Sequence, residues 1–360
     1  MREIVRRQRR RLSLAPDKVG DTTNGQPASA AASGAASPHD EMIGEDQGKN
    51  KEVLYIRVAH YSKKGVVPYN AGKVNQDRFV VQHSLAGDPG MSFFAVMDGH
   101  GEFGHLVAEF VKQNITRLLE TQDIRADPPR AILQATKRLC SALQDTGINI
   151  AISGTTAVMG LKVDEKLFVA NLGDSRCVLA RRKRIGGDYD DAADADAALA
   201  ADDENVTVEA MPLSRDHKPD VPSEKARILE AGGRVCPLQG LEDEDCGPDR
   251  VWLEKVEVPG LAMSRSIGDE VAQQVGVIST PEITEHDISR NDLFVIFASD
   301  GVWEFVSNEQ AVATVCQQLP NLGEATRALV NLSLDMWRAN EQVIDDITTV
   351  IVQFNVSANA

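Results

Sequence analysis

Five cysteines in 360 residues are too few, and too widely spaced, to build a disulfide framework. Cys140, Cys177, Cys236, Cys246 and Cys316 also form no C-x-x-C pair, so no zinc site is indicated, and buried free thiols are expected. No apolar run reaches the ~18 residues of a membrane-spanning helix, and the N-terminus has no apolar signal core. Positive charge is in short supply as well. With 38 Lys and Arg against 54 Asp and Glu, the net charge is −16, which argues against broad binding to nucleic acid or to anionic membranes. Residue 2 is Arg rather than Gly, which excludes N-myristoylation. The expectation is a soluble, monomeric, intracellular protein, cytoplasmic or nuclear, with no nucleic-acid partner and no membrane span.

What the chain does have is a 42% share of hydrophobic residues, enough for a large core. Two apolar runs end alike. Phe93-Phe94-Ala95-Val96-Met97 stops at Asp98-Gly99-His100-Gly101, and Leu293-Phe294-Val295-Ile296-Phe297-Ala298-Ser299 stops at Asp300-Gly301. Each run suits a buried strand that leaves its sheet at the Asp-Gly. Asp and Gly are ordinary turn residues. If both strands end at one edge of a sheet layer, however, the two carboxylates face a common mouth and repel. They then need a shared proton or a cation between them, and we read them as metal ligands.

The rest of the chain adds acids at similar positions. Asp77 precedes the strand-like Phe79-Val80-Val81, Asp269 closes Ser264-Arg265-Ser266-Ile267-Gly268, and Asp345-Asp346 lead a β-branched strand from Ile347. Apolar residues at helical spacing predict long amphipathic helices over 104–120 and 128–144, and later ones near 309–319 and 324–340. Residues 153–163, 166–173 and 175–180 read as successive antiparallel strands, with a bend at Gly173-Asp174. A helix ending at Ala231 is followed by an irregular acidic stretch to about Val258. Strands at both ends with helix pairs between them indicate α+β.

Two segments stand apart in composition. Residues 1–51 carry six arginines by residue 11 and then a Gly/Ala/Ser/Pro-rich tract, which reads as a disordered arm. Residues 186–205 carry eight acids and no base, without the residue order of a calcium loop, and read as an insert in a hairpin. A literal G-x-G-x-x-G, Gly99 to Gly104, follows a strand and precedes a helix. A dinucleotide fold would continue to a second parallel strand and would give Asp77, Asp269, Asp300 and Asp345 no role.

In this order the motifs Asn75-Gln76-Asp77, Asp98-Gly99-His100-Gly101, Ser153-Gly154-Thr155-Thr156-Ala157, Gly173-Asp174-Ser175-Arg176, Ser214-Arg215-Asp216-His217-Lys218-Pro219, Ser264 to Asp269, Ser299-Asp300-Gly301-Val302-Trp303 and Asp345-Asp346 resemble the metal-dependent Ser/Thr protein phosphatases of type 2C, in a form similar to plant and protist members. The resemblance covers essentially the whole 52–356 region as one catalytic domain. It implies a four-layer α-β-β-α sandwich, two packed antiparallel sheets flanked by helix pairs, with a mobile flap at about 219–260. It also implies Mg²⁺ or Mn²⁺, two or three ions, held by Asp98, the Gly99 carbonyl, Asp269, Asp300 and Asp345, with Asp77 near them and Asp174 at the third. A dimetal-bridging water would attack phosphoserine or phosphothreonine of phosphoprotein substrates in line, with His100 as the acid.

This sequence departs from the family's pattern at four places. Gln76 stands for a frequent glutamate, Gly72 for a phosphate-clamping arginine, Glu304 for an aspartate and Asp346 for an asparagine. Lys73 is the candidate to replace the missing arginine on phosphate. The alternative function is a weakly active or inactive relative that binds phosphoproteins. Such relatives tend to lose core aspartates, which are all present here.

Overall fold

The apolar run before Asp98 forms a strand whose residues, Met91–Met97, are all buried. The run before Asp300 forms another, Asp292–Ala298. The computed structural model describes residues 41–43, 53–70, 72–184, 206–239 and 245–357. In chain order its elements are β1 (Glu41–Ile43), β2 (Val53–Lys63), β3 (Arg78–Gln82), β4 (Met91–Met97), β5 (Gly99–His100), α1 (Gly104–Leu119), α2 (Pro128–Gln144), β6 (Gly154–Thr155), β7 (Ala157–Val163), β8 (Lys166–Leu172), β9 (Arg176–Arg184) and β10 (Val206–Pro212). There follow α3 (Pro222–Glu230), β11 (Arg234–Gln239), β12 (Asp245–Trp252), β13 (Pro259–Leu261), β14 (Ile267–Gly268), α4 (Glu270–Gln273), β15 (Glu282–Asp287), β16 (Asp292–Ala298), α5 (Asp300–Trp303), α6 (Asn308–Cys316), α7 (Leu322–Asn340) and β17 (Ile347–Ser357).

Two large sheets, ordered β1-β2-β17-β16-β9-β10 and β15-β8-β7-β4-β3, are antiparallel at every pairing. Successive residues of a strand face opposite sides, and both faces of β4 and β16 are covered, which explains the unbroken apolar runs over residues 93–97 and 293–298. Phe94 and Val96 face Val295, Phe297, Val350 and Val352 in the core between the sheets. The alternate residues Phe93, Ala95 and Met97 join Val107, Val111, Ile132 and Leu139 of α1 and α2 in an outer core. On the other side Phe294, Ile296 and Ala298 join Val312, Leu329 and Trp337 of α6 and α7. The result is the expected four-layer α-β-β-α sandwich.

Local chemistry sets the helix starts. Asp127 accepts the Arg130 N–H at 3.0 Å with Pro128 in the first turn of α2, and Ser307 and Gln310 close a reciprocal cap on α6. No helix among the described residues is long and apolar enough to cross a membrane. Of the free cysteines described, Cys177 is buried, while Cys140, Cys236 and Cys316 are half-buried.

One expectation is corrected. The stretch after Gly233, read as irregular, forms the small sheet β11-β12-β13. Its register shifts between Cys236 and Leu238, on either side of Pro237, and again between Val251 and Trp252. Those shifts break the alternation that marks a strand in sequence. Of the N-terminal arm, only Glu41–Ile43 lies among the described residues, paired with β2. The acidic insert 186–205 lies outside them, between two strands paired at Val206↔Arg184.

Candidate active site

A fourth sheet, of short strands ordered β14-β6-β5, carries the geometry of the site. Gly99 pairs with Thr155 and His100 with Gly154 on one side of β6, while Ile267 and Gly268 take the same two partners on the other. Asp98, after β4, meets Thr156 at one end of β6, and Asp269, after β14, meets Ser153 at the other, its N–H donating to the Ser153 carbonyl at 3.1 Å. The Asp98 N–H donates to Thr156 Oγ1 at 3.1 Å, and its carbonyl accepts the Thr156 N–H at 2.9 Å. Gly154 has to be glycine, because a Cβ there would lie 2.2 Å from Asp269 Oδ2.

Asp269 adopts left-handed backbone, φ 55°, a conformation uncommon outside glycine, and its side chain is buried. Its Oδ2 accepts from Ser266 Oγ at 2.6 Å and lies 2.6 Å from His100 Nε2. Burial pulls the His100 imidazolium down, but the charge and hydrogen bond of Asp269 outweigh it and hold its pKa above the ordinary value.

The remaining acids come from other strand ends. Asp77, just before β3, accepts from Ser299 Oγ at 2.8 Å, and that hydroxyl also accepts the Thr348 N–H at 3.1 Å. Asp300 opens α5 directly after β16. Asp174, in the turn after β8, ion-pairs through Oδ2 with Lys218 Nζ. Burial lowers the Lys218 pKa, but Asp174 and Asp300 outweigh that effect and raise it. Asp346 Oδ1 accepts the Gly65 N–H at 2.7 Å, and its Oδ2 accepts the Gln76 N–H at 2.8 Å and Lys73 Nζ at 2.6 Å. Lys73, expected to face phosphate, thus directs its ammonium to Asp346, with Asp345 at 3.8 Å.

These carboxylates act on one another. Burial, followed by the charges of Asp77, Asp300, Asp345 and Asp174, pushes the Asp98 carboxyl well above the usual range. Burial and Asp346 do the same to Asp77. The structure therefore brings together Asp77, Asp98, His100, Asp174, Asp269, Asp300 and Asp345, with the Gly99 backbone on β5 next to Asp98. Sequence reasoning missed Ser266, Ser299 and Lys218 as partners. All three lie inside motifs quoted above, but the partners of Lys218 and Ser299 are 44 and 222 residues away and leave no local signal.

No group of three or more His, Cys, Asp or Glu side chains among the described residues is already closed around a metal position. His100 and Lys218 instead engage Asp269 and Asp174 directly. The donor set nevertheless fits a hard divalent cation. Asp77 Oδ1, Asp174 Oδ1 and Asp269 Oδ1 are buried oxygens without a hydrogen-bond partner among the described residues, and all-oxygen ligation suits Mg²⁺ and Mn²⁺. A cavity of about 340 Å³ between β2, β3 and α1, lined by Phe79, Gln82, Lys112 and Thr116 among others, holds no carboxylate and none of the expected site residues. The acid cluster is the better candidate because it alone gathers groups able to drive a reaction.

A sequence model of the family described as Protein phosphatase 2C matches residues 73–341. The chain belongs to the protein phosphatase 2C family. As such it is a protein serine/threonine phosphatase. It is 34% identical over 313 residues to "Probable protein phosphatase 2C 35" of Arabidopsis thaliana, covering 83% of this chain and 84% of that one. It is 33% identical over 370 residues to "Probable protein phosphatase 2C 48" of Oryza sativa subsp. japonica, covering 96% of both. Among solved structures, this phosphatase superposes on the serine-threonine phosphatase 2C from Toxoplasma gondii with a TM-score of 0.67, covering 88% of this chain and all of that one. At 22% identity that likeness speaks for the fold.

Proposed function

We propose that this phosphatase is metal-dependent, with Asp98, the Gly99 carbonyl, Asp269, Asp300, Asp345 and Asp77 holding two Mg²⁺ or Mn²⁺ ions and Asp174 serving a third. The observation that carries the reading is the crowding on Asp98, a buried carboxylate whose pKa four other aspartates help to raise. Such a cluster calls for positive charge when it ionises. Bound, the ions acidify water as the nucleophile and offset charge developing on the phosphoryl oxygens.

The chain's own residues supply the rest. Asp269 favours the protonated form of His100 and holds its Nε2 face, so that the imidazolium can donate a proton to the departing seryl or threonyl oxygen. Ser266 fixes Asp269, and Ser299 fixes Asp77. Lys73 and Lys218 offset charge at the margins of the cluster through Asp346 and Asp174.

The test is phosphate release from a phosphothreonine peptide across Mn²⁺ and Mg²⁺ titrations, with EDTA as the zero-metal control. Activity that EDTA abolishes, and that Asp98→Ala removes with the fold intact, is the expected result. Full activity in EDTA would overturn metal dependence, and unchanged activity in Asp98→Ala would overturn the site. Folded protein inactive with either ion would favour a phosphoprotein-binding module.

A further inference from the structure

Glu224, on α3, is a carboxylate for which the reaction has no use, yet only 1% of its side chain is exposed. Its Oε1 accepts from Arg265 Nη2 at 2.7 Å. Its Oε2 accepts from Arg265 Nε at 3.1 Å, Arg227 Nη2 at 2.7 Å and Ser264 Oγ at 2.6 Å. Burial pushes the Glu224 carboxyl up, but these donors outweigh it and hold the group well below the usual carboxylate range. The two bonds from Arg265 form a fork, which fixes direction as well as distance.

The residues that Glu224 grips lead into both sides of the acid cluster. Next to Arg265 is Ser266, whose hydroxyl holds the same Asp269 oxygen that meets His100. In the other direction the Ser264 N–H donates to the His217 carbonyl at 2.8 Å. The residue after His217 is Lys218, which reaches Asp174. His217 is itself pinned, its N–H to the Gly173 carbonyl at 2.9 Å and its Nδ1 accepting the Gly173 N–H at 3.2 Å. Arg227, one turn along α3, adds bonds to the Ser264 carbonyl at 2.9 Å and the Gly276 carbonyl at 2.7 Å.

We infer that Glu224 is a positioning residue: through Arg265 and Ser264 it sets the backbone from which Asp269 orients His100 and from which Lys218 reaches Asp174. Seating α3 and assembling the site are then one event, since a helix outside the two large sheets fastens both margins of the cluster. The inference rests on the reading of His100 as the acid, and its test separates the two.

Glu224→Gln and Arg265→Lys are assayed as full chains with saturating Mn²⁺, alongside His100→Ala, on a phosphothreonine peptide and on p-nitrophenyl phosphate. The phosphopeptide has the poor leaving group and needs the acid, whereas p-nitrophenolate leaves with little help. Turnover of the peptide should fall about 10- to 100-fold, and that of p-nitrophenyl phosphate by much less, as in His100→Ala, because a misplaced group about 1 Å from its station loses that much. Crystal structures of wild type and Arg265→Lys should show the His100–Asp269 contact lengthened in the variant.

Folded variants whose two rates are unchanged, or fall by the same factor, would overturn the inference. If His100→Ala leaves the ratio of the two rates unaltered, the acid reading fails instead. The crystal structures then decide, and unmoved His100–Asp269 and Lys218–Asp174 contacts would sink the positioning role. Should Glu224→Gln not fold, Arg265→Lys carries the test, since it keeps the charge and loses only the fork.

Discussion

At His100 the roles of charge and contact can be separated. Its Nε2 lies 2.6 Å from a buried Asp269 oxygen, and Asp269 raises the imidazole pKa against the pull of burial. His100→Ala removes a proton donor and leaves the carboxylates in place. Turnover of phosphoserine and phosphothreonine peptides should drop about 10²- to 10⁴-fold, with a much smaller loss on p-nitrophenyl phosphate. Steady-state kinetics on the two substrates checks this, and equal losses would remove His100 from the proton transfer. Most of the carboxylates were legible in the sequence, because Asp98 and Asp300 stop long apolar runs and Asp77, Asp269 and Asp345 stand at strand ends. Lys73 was read toward phosphate, whereas the structure sets it on Asp346, 273 positions further along the chain, and Ser266, Ser299 and Lys218 were given no role. The partners of Lys73, Ser299 and Lys218 lie far along the chain and carry no periodic signal that a sequence pattern can reveal, whereas Ser266 is three residues from Asp269 and was missed despite its closeness.

Among the elements, those with unbroken burial or strong periodicity were readable. Helices over 104–120 and 128–144 are found at Gly104–Leu119 and Pro128–Gln144, and the strands that end at Asp98 and Asp300 are buried on both faces. Strands β11 to β13 were not, because Pro237 and the register shifts erase the alternation. One position in β7 shows how closely the two large sheets meet. Gly160 lies under the Phe297 ring of β16, and a Cβ at Gly160 would come within 2.4 Å of that ring's Cζ. Both strands are buried, so the ring has little room to retreat. Gly160→Ala should therefore destabilise the fold by about 1–3 kcal/mol through overpacking, against the usual gain from replacing a strand glycine. Urea unfolding monitored by tryptophan fluorescence measures it, and an unchanged or raised midpoint would mean that the sheets part more easily than their packing implies.

Across the whole molecule, acids outnumber bases to a net charge of −16, and stability depends on where protons bind. His217 is withdrawn from solvent, and burial together with the nearby Arg265 charge lowers its pKa to about 4. Unfolded, the same imidazole titrates near ~6.5. Its folded pKa is the lower one, so its contribution is fully present above ~6.5 and is lost as pH falls toward 4, amounting to about 3 kcal/mol. Asp98 and Asp77 have the opposite sign. Their folded pKa values are raised, chiefly by burial and then by neighbouring carboxylates. The stability they lend is present below the ordinary carboxylate range of ~4 and disappears as pH rises through their folded values. In saturating Mn²⁺ the melting temperature should show an acid limb, falling below ~6.5 because His217 resists protonation, and in EDTA an alkaline limb, falling as pH rises because Asp98 and Asp77 resist ionisation. Saturating Mn²⁺ should abolish the alkaline fall, since bound cations remove the penalty on charge in the cluster. General repulsion at high net charge also weakens the fold as pH rises, so single substitutions are needed to assign each limb. His217→Asn should flatten the acid limb while keeping an acceptor for the Gly173 N–H, and Asp98→Asn should flatten the alkaline limb and raise the melting temperature of metal-free protein. A metal-free alkaline limb equally steep in Asp98→Asn would show that overall charge, and not the crowded cluster, governs that limb.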